Sequence, residues 1–416
     1  MIRKILSSIL LILIFIPFSA NADEFELPSH IVLKTDFKIW ELNLRNMDFF
    51  ADYEKSAFYN IPVNIVDSYN QDIVDKHLQQ NKKHGFNIAK IKEYLDEKIA
   101  PALLREKGDV IISREDEKIT FEGSGLYGRH LDTEKAAFML KNAIENNIEY
   151  IHLPLIIDPP VVEIDKKLRK MGIIEPIAYG ESDFSGSTYN RIHNVETGLA
   201  KFNGHIIAED EEFVFGETLG PVDASTGYRK ELVIKGDKTV PEYGGGLCQV
   251  STTAFRAALN AALPITERHF HSYSVSYYVP RGLDSTVYPP TVNLRFINDT
   301  GAPILIQTLT IGKKAYYNFY GTKTKDREAH LIGPYYSNYR SAPKDRTVYT
   351  DDLEPGKTKV LGHRVSGFNS SWFQRVDYKE DKEKSFLYNI YSRYQARPNY
   401  YLIGEEKAKE VSEDGY

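Results

Sequence analysis

Cysteine is almost missing from this chain: its 416 residues include one, Cys248. A disulfide framework is therefore excluded, as is any site built on a Cys-x-x-Cys element. Long apolar runs are equally scarce. Beyond the N-terminus no stretch is apolar for the ~20 residues that a helical membrane span needs, and the C-terminus carries no sorting signal or hydrophobic tail, so the mature chain is expected to be soluble. A basic stripe that would displace phosphate counterions is missing too, which with a formal net charge of -6 argues against a nucleic-acid binder. Internal repeats are lacking. The charged run Lys379 to Lys384 reads as a solvated loop.

What is present begins with Arg3 and Lys4, followed by an apolar stretch from Ile5 to Phe18 that closes with Ser19-Ala20-Asn21-Ala22. The basic pair, the short apolar run and the small-x-small ending are those of a secretory signal peptide cleaved before Asp23, and the chain is expected to be exported to a periplasm, cell wall or extracellular space. No cysteine sits at the cut, which argues against lipidation there. With 42% hydrophobic and 12% aromatic content the remainder can bury cores for two or three domains. Its 28 tyrosines suit surfaces that bind sugars or peptides, and equally the cores of β-sheets.

The expected fold class is α+β. Residues 1–22 are the signal peptide and 23–86 an N-terminal extension. Residues 87–181 read as a small α+β module. It has a helix over Asn87 to Arg105, a hairpin of Asp109–Ser113 with Lys118–Phe121, a second helix capped by Asp132, and a strand over Glu149–Ile156. The Pro159-Pro160 pair marks its edge. Residues 182–322 form a central α+β domain. A helix runs through Val195 to Phe202 and ends at Gly204, and strands are expected over Glu212–Phe215, Glu267–Val279, Thr291–Phe296 and Ile304–Tyr320. A Cys-bearing helix packs on them. Residues 323–416 read as a β-rich extension with strands at Thr347–Tyr349, Lys357–Leu361 and Tyr400–Ile403.

The chemistry centres on Tyr243-Gly-Gly-Gly-Leu-Cys-Gln-Val-Ser-Thr252. Apolar positions Leu247, Val250, Ala254, Ala257, Ala258 and Ala261 recur at helical spacing, so Cys248 falls at a helix N-terminus. Unpaired amides there favour an anion. They lower a thiol pKa and can receive the oxyanion of a tetrahedral intermediate. Gly244, Gly245 and Gly246 permit a sharp strand-to-helix turn and close approach of a substrate backbone.

A thiolate needs a base, and Glu267-Arg268-His269-Phe270-His271-Ser272 offers two histidines that would share one face of a strand. Arg268 would lie on the opposite face, as a structural ion pair more readily than a carboxylate clamp. Asp284 can orient a histidine or cap a turn. Cys248, His269 and His271 could also be three ligands of a zinc site. The glycines before Cys248 suit an oxyanion site better, so no metal and no cofactor is expected.

These residues carry a family resemblance. Gly227-Tyr228 through the glycine run, Cys248-Gln-Val-Ser-Thr-Thr253, Glu267-Arg-His-x-His-Ser272, Val275-x-Tyr277, Gly282-x-Asp-x-Thr-Val287 and Asn298-Asp-Thr300 closely resemble the VanW domain, in consistent order from about Ser185 to Gly321. Gly128 to Ala137 with Leu153-Pro-Leu resembles a peptidoglycan-binding module that often precedes it. Leu353-Glu-Pro-Gly-Lys357 and Tyr394-x-Ala-x-Pro398 resemble a G5 extension. Two segments depart from the pattern, Ala208-Glu-Asp-Glu-Glu-Phe213 and Gly216.

The resemblance implies an L,D-transpeptidase acting on peptidoglycan stem peptides through a Cys248 thioester. His271 is the preferred base, followed by His269, and the amides of Leu247 to Gln249 would hold the oxyanion. Gly245, Gly246, Gln249, Ser251, Thr252, Arg268, Ser272 and Asp284 complete the oxyanion and substrate-binding set. The alternative is a non-catalytic peptidoglycan-binding or envelope-binding protein with Cys248 buried, and after it a zinc-dependent hydrolase.

Overall fold

The computed structural model describes residues 30–35, 38–44, 47, 86–235 and 238–405. The expected signal peptide and most of the N-terminal extension lie outside the described residues. The described chain is α+β and rich in short sheets.

In the N-terminal unit the side chain of Asn87 accepts from the amides of Ala89 and Lys90 and starts the helix Ile88–Tyr94. That helix runs into a π turn at Leu95–Ile99 and a short helix Ala100–Leu103. Pro101, which has no N–H to give, sits where the bonding pattern restarts. Ile91, Leu95, Ile99 and Leu103 are buried in one core with Leu140 and Ile144 of the helix Thr133–Glu145, which Asp132 caps. The same core takes in Ile31 and Leu33 of His30–Lys34, the middle strand of a sheet with Ile39–Asn43 and Tyr150–His152. The strand expected over Glu149–Ile156 is two strands. Tyr150–His152 pairs in parallel with His30–Lys34, whereas Leu155–Asp158 pairs antiparallel with Gly128–Leu131. Pro154, between them, cannot donate to a ladder, and the chain changes sheets there.

The expected hairpin forms from Gly108–Glu115 and Lys118–Leu126. It docks on the central domain, where Val110 and Ile112 share a core with Leu305 and Tyr320. Gln307 Nε2 donates to Gly123 O at 3.0 Å and Asn318 Nδ2 to Ser124 O at 2.8 Å.

The central sheet is antiparallel, in the order Ile206–Ile207, Ile304–Ile311, Lys314–Gly321, Glu175–Asp183. The helices Tyr189–Ala200 and Leu247–Asn260 contribute to its core through Val195, Leu199, Val250, Ala254 and Ala257. Two glycines set how closely the Cys-bearing helix sits. A Cβ on Gly180 would come within 2.5 Å of the Ala257 amide nitrogen, and one on Gly198 within 2.6 Å of a Leu247 methyl. The expected strand at Glu212–Phe215 ends at Val214, and Phe215–Leu219 is a helical turn.

Thr291–Phe296 contributes only the start of the strand Arg295–Ile297, and Glu267–Val279 only the end of Ile265–Glu267. The remainder of Glu267–Val279 leaves the sheet, because its side chains are drawn into the site described below.

In the C-terminal part the three short strands expected there form one sheet: Arg346–Thr350 and Thr358–Gly362 flank Tyr400–Gly404. A larger antiparallel sheet, Arg327–Arg340, Gly367–Tyr378 and Phe386–Tyr394, goes beyond that expectation. Its Trp372 and Ile390 lie in the same core as Phe255 and Leu283 of the central domain.

Candidate active site

The glycine run turns the chain sharply into the helix Leu247–Asn260. Gly244 has φ +78° and the N-cap Gly246 has φ +120°, both in the region that disfavours a side chain. Gly245 is packed on the backbone of Glu231 and Leu232, and its carbonyl accepts from Asn194 Nδ2 at 3.0 Å. The amide of Leu247 donates to Gly244 O at 3.0 Å and that of Gln249 to Gly246 O at 2.9 Å. The Cys248 amide is the one of the three without an acceptor among the described residues.

The Cys248 thiol is half-buried and faces a loop, Gly282 to Val287, that the helix itself holds in place. Ser251 Oγ donates to Ser285 O at 2.6 Å, and Thr252 Oγ1 donates to the same carbonyl at 3.2 Å while accepting from Ser285 N at 2.9 Å. Both side chains are fully buried. They therefore anchor the loop and do not line the open side of the site. Gln249 is buried as well, donating to Asp183 O and accepting from Arg191 Nη2 at 3.0 Å.

The loop presents Thr286, whose hydroxyl lies 3.3 Å from Cys248 Sγ, and Asp284, which is 2% exposed. Asp284 Oδ2 accepts from the His271 amide at 3.0 Å and lies 2.6 Å from His271 Nδ1. Its Oδ1 accepts from Arg268 Nη2 at 3.3 Å and from the Tyr394 hydroxyl. The His271 imidazole, 4% exposed, is electrostatically coupled to the Cys248 thiol and stacks on Tyr278 with centroids 5.0 Å apart. The result is a Cys248–His271–Asp284 relay whose acid and base are buried while its sulfur meets the surface.

The electrostatics follow from this order. Burial pushes the Cys248 thiol up, but the hydrogen bond and positive charge of His271, with the Thr286 hydroxyl, outweigh it and bring the thiol down to about 7. Burial pulls His271 down, and the Asp284 carboxylate and the Cys248 sulfur lift it to about 9. Burial also raises Asp284, yet His271, Arg268 and Tyr394 hold it well below the usual carboxylate range. Such a site stores a thiolate-imidazolium pair near neutral pH.

Of the two histidines, His271 enters the site and His269 does not. His269 is about half exposed and binds Glu267 Oε1 at 3.0 Å, while its backbone bridges to Thr286. Alternation fails here because Asp284 takes both the amide and the ring of His271, and Arg268 turns inward instead of lying on an outer face. Arg268 donates to Asp284 O, Gly282 O, Tyr391 O and Ser392 Oγ as well as to the Asp284 carboxylate. It is the structural ion pair of the two options the sequence left open. The Ser272 carbonyl accepts from Gln395 N at 2.7 Å. The Cys248, His269 and His271 ligand set is not assembled, and among the described residues no three His, Cys, Asp or Glu side chains cluster as a metal site.

Sequence reasoning missed three participants. Tyr394 reaches Asp284 from a strand 110 residues further along. Tyr278 supplies the ring under His271. Arg191, on the helix Tyr189–Ala200, stands beside Gln249 with its guanidinium 4.6 Å from the Tyr277 ring centroid. Tyr394 opens the Tyr394-x-Ala-x-Pro398 motif, which gave no hint of this role, and for Tyr278 and Arg191 no local signal existed.

Comparison with known proteins places residues 190–320 in a match to the family model described as VanW like protein. The chain is 33% identical over 139 residues to the uncharacterized protein YoaR of Bacillus subtilis, covering 33% of this chain and 46% of that one. It is 28% identical over 116 residues to the vancomycin B-type resistance protein VanW of Enterococcus faecalis, covering 27% of this chain and 42% of that one. The chain thus spans less than half the length of these curated relatives. Among solved structures, the crystal structure of HP0197-G5 aligns over 19% of this chain and 95% of its own at 16% identity, with a TM-score of 0.10, which supports no statement about the fold.

Proposed function

From the VanW-like character of residues 190–320, we propose that the protein is an exported, peptidoglycan-modifying cysteine acyltransferase of the L,D-transpeptidase type. The observation that carries this reading is the Cys248–His271–Asp284 relay with its half-buried sulfur. The apolar segment Ile5 to Phe18 supports export. Among the described residues no helix is long and apolar enough to cross a membrane. The upstream unit, 87–181, is read with it as a wall-binding module, and the β-rich segment after residue 322 as an extension.

In the proposed cycle the Cys248 thiolate attacks the carbonyl carbon of the third, diamino residue of a tetrapeptide stem. The oxyanion forms beside the Cys248 amide. His271, already protonated, gives its proton to the departing amine as the C–N bond breaks, so D-alanine leaves and a thioester remains. An amine of a second stem then attacks the thioester, His271 takes that proton, and the C–S bond breaks to restore the thiolate. Asp284 keeps one imidazole orientation throughout and stabilises its charged form.

Intact-protein mass spectrometry of residues 23 to 416 with purified disaccharide-tetrapeptide tests this. The expected result is an adduct equal to the donor minus D-alanine, missing in Cys248→Ala. A folded protein that binds peptidoglycan and never forms the adduct would replace the enzyme with a binding module.

A further inference from the structure

Arg191 stands out among the cations of this region by its place beside the Cys248 turn. Arg268 spends its charge on Asp284, Arg105 and Arg129 spend theirs on Glu181, and Arg229 lies over the Tyr189 ring. Arg256 is buried against the carbonyls of Leu283, Glu181 and Val279. Arg191 is half-exposed and meets neutral groups. Its Nη1 donates to Ser187 Oγ at 2.6 Å, its Nη2 donates to Gln249 Oε1 at 3.0 Å, and its plane lies over Tyr277. Glu231, on the neighbouring hairpin, binds the Thr188 hydroxyl instead. Among the described residues Arg191 has no carboxylate partner.

Its position is fixed from three sides. Ser187 and Gln249 hold two of the five N–H groups, the guanidinium carbon lies over the Tyr277 ring, and among the described residues the remaining N–H groups meet no acceptor. Gln249 follows Cys248 directly, and a Cβ on the N-cap Gly246 would lie 3.2 Å from Arg191 Cγ, so the residue borders the turn that delivers the thiol. The same neighbourhood reaches the base: Tyr277 packs edge-on against Tyr278, which stacks on His271. A fixed, half-exposed guanidinium with spare donors and no internal anion is what a carboxylate-binding subsite requires.

We infer that Arg191 binds a free carboxylate of the acyl donor, one residue beyond the scissile carbonyl. This rests on the transpeptidase reading for the identity of the donor. In a stem ending in D-alanine that carboxylate belongs to the leaving residue and is separated from the attacked carbon by one nitrogen and one carbon. Arg191 therefore selects stems that end at the residue to be expelled, and discriminates against those that are amidated or extended there. Ser187 and Gln249 are its positioning residues.

Two measurements test this. The first is the rate of Cys248 alkylation by iodoacetate divided by that by iodoacetamide; the ratio cancels the thiolate fraction and needs no peptidoglycan. The ratio is expected to exceed that of a small free thiol and to fall about tenfold in Arg191→Gln, with Arg191→Lys between. The second is acylation by tetrapeptide as free acid and as C-terminal amide. The free acid is expected to have kcat/KM about ten- to hundredfold higher, a preference that Arg191→Gln removes. An Arg191→Gln protein with the wild-type alkylation ratio, or a wild type that acylates acid and amide equally, overturns the assignment of Arg191. An Arg191-dependent alkylation ratio with acylation by neither peptide supports the carboxylate subsite while overturning the transpeptidase reading.

Discussion

Tyr394 donates a buried hydrogen bond to Asp284 from a strand that lies 110 residues further along the chain and outside the family match at 190–320. The contact has neighbours. Ser392 on the same strand accepts from Arg268, Trp372 Nε1 donates to Arg281 O at 2.9 Å, and Gln374 Nε2 donates to Leu259 O at the end of the Cys-bearing helix. The C-terminal sheet thus forms the back wall of the site, holding the carboxylate from the side opposite to His271.

Replacing Tyr394 with Phe removes one donor to a buried carboxylate and leaves the ring packing on Phe270 and Phe368 in place. Hydrogen bonds to charged groups contribute about 1.5–3 kcal/mol. The expected result is a fall of about tenfold in kcat for acylation with KM nearly unchanged, since Tyr394 is buried behind Asp284 and away from the half-exposed thiol. A lowered melting temperature with unchanged kcat would assign Tyr394 a purely structural part.

The thiol-imidazole pair sets the pH dependence. With the Cys248 thiol at about 7, the thiolate fraction grows as pH rises through that value, and alkylation by iodoacetamide should reach half its maximum there. With His271 at about 9, the imidazolium that protonates the leaving amine is lost as pH rises through that value, so acylation should plateau between the two limbs and decline beyond the second. In His271→Ala the alkylation midpoint moves up toward the ordinary thiol range, because burial of the sulfur is then opposed only by the Thr286 hydroxyl and the bond to the Val287 carbonyl. His269→Ala leaves both limbs in place. A midpoint that stays near 7 without His271 would contradict the pairing.

How much of this was legible beforehand depended on distance along the chain. Cys248 at a helix start followed from the glycine run and the apolar spacing after it, and His271 and Asp284 stood in motifs that resembled a family. What separates His271 from His269 was not legible in the spacing; only the resemblance ranked His271 first. Alternation places both on one face, whereas the burial of Asp284 and Arg268 pulls the segment after Glu267 out of the sheet. Side-chain bonds to a buried charge outweighed strand propensity. The resemblance implied that Ser251 and Thr252 contact a substrate, but their hydroxyls are bonded to the loop that carries Asp284. The contributions of Tyr394 and Arg191 come from tertiary contacts, with no spacing to betray them.

Gly180 offers a test of the scaffold itself. It lies on the strand Glu175–Asp183 where the helix Leu247–Asn260 crosses, and the hydroxyls of Ser182 and Thr253 are 2.6 Å apart beside it. A methyl group there would press into the carbonyl oxygen of Thr253 and the backbone of Ala257. Backbone cannot give way as a flexible side chain does, so the helix must lift or the strand must bend. Overpacking of this kind costs about 1–3 kcal/mol. Gly180→Ala is therefore expected to lower the denaturant midpoint with little change in m. Because the displaced helix carries Cys248 at one end and anchors the Asp284 loop through Ser251 and Thr252, the alkylation midpoint of the surviving folded protein should also move upward from about 7. A variant that loses stability and keeps that midpoint would show that the Asp284 loop travels with the helix as one rigid piece.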